Sequence, residues 1–216
     1  MLVSVIHFFL KGIQMLKKFL IIAGLIATSN AFAQADKFSG FSIGFNTGFE
    51  SSRSVSTSTT DSTTIGVGAT NTPFDINFAY VMPLSSNTTI GLGATYDLSS
   101  PSIFKDSEFT ANDDITTDGK LNDHYSIYIE PGYTFNDTTL GYFKLGYHSG
   151  KIKIETLSNS VTGTGYGFGM RQLIDKNIYL NVGVEKITYK STTFSDFGSA
   201  IQLTQTLATV GIGYKF

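Results

Sequence analysis

Residues 205–216 read Gln-Thr-Leu-Ala-Thr-Val-Gly-Ile-Gly-Tyr-Lys-Phe. In an extended chain successive side chains point to opposite faces. Ala208, Val210, Ile212, Tyr214 and Phe216 therefore share one face, while Gln205, Thr209, Gly211, Gly213 and Lys215 share the other. A strand of a soluble sandwich also alternates, but Gly and Lys seldom occupy its buried side. The pattern predicts a strand whose apolar face looks outward.

The same inverted pattern recurs seven times upstream. Phe41, Ile43, Phe45 and Phe49 alternate with Ser42, Gly44, Asn46, Gly48 and Glu50, and comparable runs begin at Phe74, Ile90, Tyr125, Phe143, Tyr166 and Ile178. The links between runs are short at 83–87, 136–139 and 173–177 and longer at 51–72, 99–122, 149–163 and 189–200. Eight strands with short turns at one end, longer links at the other and both chain ends on the short-turn side predict an all-β fold. It is an eight-stranded antiparallel up-and-down transmembrane β-barrel. Closure is required because an open sheet edge would leave unpaired backbone groups in hydrocarbon.

Composition points the same way. Only 15% of the 216 residues are charged, against roughly 25% in soluble domains. Beyond residue 33 no run approaches the roughly 18 consecutive apolar residues of a membrane helix. Met15-Leu-Lys-Lys, the apolar run 19–27 and Ala31-Phe-Ala33 have the basic start, length and small-residue end of a secretory signal. Residues 1–14 read as an upstream extension. The expected organisation is a signal region over 1–33, with Met15 as the true start and cleavage after Ala33, followed by a barrel domain over 34–216. Cleavage removes Lys11, Lys17 and Lys18 and no acid, leaving 12 basic against 17 acidic residues and a net charge of −5. That balance does not suit nucleic acid. The chain has no cysteine, so the barrel is held by its ladder and by burial.

Two stretches depart from the scheme. Residues 63–70 nearly repeat 88–95, yet the Ser/Thr run before them is too polar to face lipid, so they are expected on an extracellular extension of the second strand. Pro131 falls inside the fourth strand, where it cannot donate a ladder bond, and a bulge near the periplasmic rim is expected there.

The terminal Tyr214-Lys-Phe216, the block Tyr80-Val-Met-Pro-Leu-Ser-Ser-Asn-Thr-Thr-Ile-Gly-Leu-Gly-Ala-Thr-Tyr96 and Gly167-Phe-Gly-Met-Arg171 resemble the small bacterial outer-membrane β-barrel family. That family includes OmpX, the opacity adhesins and the N-terminal barrel of OmpA. The resemblance covers residues 36–216. It implies residence in the bacterial outer membrane among its lipid and lipopolysaccharide. It also implies biogenesis through periplasmic chaperones and the barrel-assembly machinery, with Val210, Ile212, Tyr214 and Phe216 resembling the C-terminal signal that this machinery reads.

Glu130, Lys144, Arg171 and Glu185 fall on the inward face of four consecutive strands, where opposite charges can pair in a confined space. An eight-stranded barrel is only wide enough for side chains to fill, so these four are expected to plug the lumen. His148-Ser149 resembles the residue types of barrel lipid A deacylases, but adjacent strand residues point apart, and no catalytic site is expected. His124 is expected to be solvated near an extracellular strand end. The stretch 112–119, Asn-Asp-Asp-Ile-Thr-Thr-Asp-Gly, offers oxygen ligands but lacks the closing Glu of a calcium loop. Gly163-x-Gly-x-Gly-x-Gly169 keeps the period of a strand rather than the strand-to-helix turn of a phosphate loop. Neither a metal nor a cofactor is expected. Lys151, Lys153 and Lys190 lie near outer strand ends, within reach of lipopolysaccharide phosphates.

The functional expectation is a non-enzymatic barrel with an envelope-structural and adhesin-like surface role through its extracellular loops. A narrow porin or small-solute channel is the alternative, and a lipid-modifying enzyme is a third. N-terminal sequencing of membrane-recovered protein should begin at Gln34; a product beginning at Met1 or Met15 would overturn the signal assignment.

Overall fold

The computed structural model describes residues 34–58, 64–104, 118–154, 157–194 and 199–216; the expected signal region 1–33 lies outside them. A short 3-10 turn, Ala35–Phe38, precedes β1 (Gly40–Ser58), β2 (Thr64–Asn71), β3 (Phe74–Pro83), β4 (Thr88–Asp97), β5 (Ser102–Phe104) and β6 (Gly119–Asn136). There follow β7 (Thr139–Ile154), β8 (Leu157–Leu173), β9 (Ile178–Tyr189), β10 (Thr192–Phe194) and β11 (Ser199–Lys215). Antiparallel pairing runs in the order β1-β3-β4-β6-β7-β8-β9-β11, and β11 returns to β1 through a ladder from Ser42↔Lys215 to Ser58↔Ser199. Among the described residues this ring of eight has no free edge in its membrane span. The remaining short strands β2, β5 and β10 pair only beyond it.

The outward face carries the apolar residues of every run. Phe168 is 67% exposed, Phe45 54% and Ile212 51%. Exposed apolar residues all round the wall far exceed the few hundred Å² patch a soluble monomer leaves bare, and they make sense only as a lipid-facing band.

Partway up the wall the two faces exchange chemistry while the period stays intact. In β7 the outward residues Phe143, Leu145 and Tyr147 give way to Ser149, Lys151 and Lys153, and the inward Lys144, Gly146 and His148 give way to Gly150, Ile152 and Ile154. In β9 the inward Glu185 is followed by Ile187 and Tyr189, and in β11 the inward Gln205 is preceded by Leu203 and Ile201. These residues, with Ile103, Phe104, Leu121 and Val161, form one buried cluster. Below the exchange the wall is built for lipid outside; above it the wall is built for water outside and an ordinary apolar core inside.

This corrects the expected long links. Among the described residues, most of 51–72 and 149–163 and parts of 99–122 and 189–200 are strand, and the barrel continues as a β-structured turret. Apolar-outward alternation stops at the membrane surface, so a search for it ends each strand too early. Residues 64–71 form β2, which pairs with the upper part of β1 from Thr57↔Thr64 to Glu50↔Asn71, while β3 pairs with the lower part from Thr47↔Phe74 to Gly40↔Val81. β2 thus extends the second ring strand past a break at Pro73. No bulge forms at Pro131. The ladder to β7 has the same register at Ile129↔Leu145 and Gly132↔Tyr142; its shifts lie at the periplasmic rim between Thr134 and Asn136, past the proline, and at the far end between Asn122 and Tyr125, with Asp123 at φ 51°.

On a gel the unboiled, refolded protein should migrate differently from the boiled chain, since a closed ladder resists detergent. Identical migration would contradict the ring.

Candidate functional site

The lumen is the site that the inward residues build. Its floor is made by three tyrosines, each directly opposite a glycine on the neighbouring strand: Tyr128 by Gly93, Tyr142 by Gly169 and Tyr179 by Gly213. In each pair a Cβ on the glycine would collide with the ring. The glycines are therefore required for the rings to lie flat against the wall, the cross-strand packing that rescues glycine in sheets.

Arg171 sits among these rings, its guanidinium carbon 4.9 Å from the Tyr142 centroid and 5.6 Å from that of Tyr179. It donates from Nη2 to Glu130 Oε2 at 2.5 Å, with both side chains buried. One level higher, Lys144 and Glu185 share a row with Gly167 between them on β8. Lys144 Nζ crosses that gap to Glu185 Oε2 at 2.8 Å and also lies 4.5 Å from the Tyr128 ring centroid. The four sequence-predicted residues thus resolve into two pairs, Arg171–Glu130 and Lys144–Glu185. A cation taken out of water is stable only with such charge-assisted partners.

Histidines continue the chain of contacts upward. Glu185 Oε1 lies 3.2 Å from His148 Nε2, His148 Nδ1 3.2 Å from His124 Nε2, and His124 Nδ1 2.8 Å from Asp97 Oδ2. The two rings stack, 5.3 Å apart and 8° from parallel. His124 is 5% exposed, so it is not solvated: it shares the inward parity of Ser126, Tyr128 and Glu130, and the Asn122–Tyr125 bulge resets the phase of β6 above it, so that Leu121 and Gly119 face inward there. His148 points inward as well, and Ser149 belongs to the opposite face. Above them Gln205 donates to Glu50 Oε1 at 2.8 Å and accepts from Tyr189 Oη at 2.7 Å. Between these layers lies a small polar cavity that includes Asn46, Asp75, Asp97 and Asn181 in its lining.

Parity along each strand could have placed Asp97, Glu50, His124 and the three tyrosines inside; nothing in the spacing showed the bulge that turns Leu121 inward. Of the stretch 112–119, only Asp118 and Gly119 fall among the described residues. Gly163–Gly169 lies within β8. On the outer surface Lys151 donates to Asp123 at 2.9 Å, a hydrogen bond and charge that raise its pKa; Lys153 and Lys190 are exposed. At the other end Phe216 packs 5.8 Å from Phe41 and 5.0 Å from Tyr214, as part of an outward aromatic girdle.

Residues 19–216 match the family model of the outer membrane protein beta-barrel domain. Solved structures similar to the chain include Ail, the attachment invasion locus protein of Yersinia pestis, at 18% identity and TM-score 0.45, covering 82% of this chain and 99% of that one. OprG from Pseudomonas aeruginosa is similar at 14% identity and TM-score 0.49, covering 82% and 96%. Neisserial surface protein A is similar at 14% identity and TM-score 0.43, covering 82% and 98%. No curated protein sequence matches the chain. The inverted pattern, the closed ring and the family match lead to one assignment: the chain belongs to the outer membrane protein beta-barrel domain family and resides in the bacterial outer membrane.

Proposed function

We propose that this barrel is a closed, non-enzymatic protein of the outer membrane whose roles are envelope-structural and surface-interacting, carried by the extracellular turret and its links. The apolar cluster at the extracellular end of the lumen carries this reading. Leu121, Ile152, Ile187 and Leu203 are each 1% exposed or less, and the polar groups facing them are the buried serines of β1, of which Ser54 is bonded to Ile103 O, so water crossing this layer would meet few free partners. Below it the Arg171–Glu130 pair and the three tyrosines fill the periplasmic half.

The polar hollow between the two layers favours the narrow-channel alternative, which needs both layers to open. The enzyme reading has less support. Both lumen histidines are bonded to each other and to carboxylates, and neither bonds a hydroxyl that it could activate as a nucleophile. For Val210, Ile212, Tyr214 and Phe216 we retain the assembly-signal role, supported by their exposed outward row at the end of β11.

In planar bilayers the refolded barrel should pass no steady current, and sustained single-channel openings would overturn the closed reading. Arg171→Met should lower stability in urea unfolding by about 3–5 kcal/mol, because it leaves the Glu130 carboxylate buried alone, and Glu130→Leu added to it should recover most of the loss. Phe216→Ala should lower the outer-membrane yield in cells while leaving detergent refolding of the purified chain intact; equal losses in both would mean a purely structural role.

A further inference from the structure

Charge on the outward face is unevenly placed. Beyond the last lipid-facing apolar residue of each strand, the described outward cations are Arg53 on β1 against Lys120, Lys151, Lys153, Lys186 and Lys190 on the β6–β9 side, with Asp118 and Asp123 as the acids there. This patch stands out from a chain whose processed form carries a net charge of −5. Asp123 neutralises Lys151 at 2.9 Å. Lys120 and Lys153 are different: they are direct cross-strand partners on the outward face, and among the described residues neither has an ion-pair partner. Like charges placed opposite each other destabilise a strand pair.

The two lysines border an open surface hollow, together with Ser100, Asp118 and Asn122. The Asn122 side-chain oxygen is buried without a donor. Lower on the wall, across β4, β6 and β7, lies a shallow groove on the lipid-facing side, lined by Leu92, Ile127, Ile129, Leu145 and Tyr147. Lys153 stands six residues beyond Tyr147, roughly 15 Å along the membrane normal for a tilted strand, and its flexible stem can reach back toward the headgroups.

We propose that this face of β6 and β7 holds one outer-leaflet lipid, an acylated saccharide bearing phosphate, with a phosphate between Lys120 and Lys153 and an acyl chain in the groove below. The phosphate relieves the repulsion between the two ammonium groups. A lipid fits better than a partner approaching from outside the cell, because these side chains leave the wall sideways over the headgroups and the apolar groove continues beneath them. The inference goes beyond the closed-lumen reading and holds whether or not the lumen conducts.

The test titrates the whole barrel, folded in a neutral detergent, with bisphosphorylated lipid A and with the same lipid stripped of its phosphates, and reads the temperature at which the folded gel band is lost. Bisphosphorylated lipid A should raise that temperature, and the stripped lipid should raise it far less. K120Q/K153Q should weaken binding by about tenfold or more, whereas K37Q/K176Q at the periplasmic end should bind as the wild type does. Added sodium chloride should reduce the effect on the wild type, a readout that holds even if K120Q/K153Q folds poorly. No upward shift, equal shifts with both lipids, an undiminished shift in folded K120Q/K153Q, or indifference to salt would overturn the site.

Discussion

A peptide N–H or C=O inside hydrocarbon has no water to turn to, so every backbone group in the membrane span must find a partner in the wall itself. That constraint is met where the last strand lies down on the first. The seventeen-residue ladder from Ser42↔Lys215 to Ser58↔Ser199 removes both edges at once, and the aromatic end of the chain is held there by Phe216 N–H donating to Phe41 O at 2.9 Å. With the ring closed, every residue has one of two destinations, the lipid or the lumen. The alternation along each strand distributes side chains between them.

The lumen is too narrow to remain hydrated across its width, and its charges are tolerated only because they are paired. Glycine decides which partners meet. Lys144 reaches Glu185 over Gly167, and Arg171 is wedged between tyrosine rings that lie flat only because Gly169 and Gly213 stand opposite two of them. The interior thus combines small residues that create space with long side chains that fill it. Removing one member of a pair leaves a buried charge, which is why single substitutions there cost more than the pair itself contributes.

The wall outlasts the membrane. Its upper part reverses the polarity of its two faces, so that a single set of strands serves as a lipid-facing barrel below and as a water-facing domain with an apolar core above. This second storey packs aliphatic side chains into the upper lumen, gives the surface links a rigid platform, and carries outward lysines beyond the lipid-facing band.

Period-two alternation with glycine on the polar side was enough to establish the strands within the membrane, their outward faces, the even count and the inward parity of Glu130, Lys144, Arg171 and Glu185. These follow from local geometry and from the surroundings each face must match, both of which are written residue by residue. The turret was illegible to the same reading, because above Tyr147 and Val184 the apolar residues move to the inner face and the strand looks like a polar link. Pairing within the lumen, the phase change at the Asp123 bulge that turns Leu121 inward and the opposition of Lys120 to Lys153 depend on stagger between strands. Stagger is set by how the whole ring closes, so only the tertiary structure could decide them.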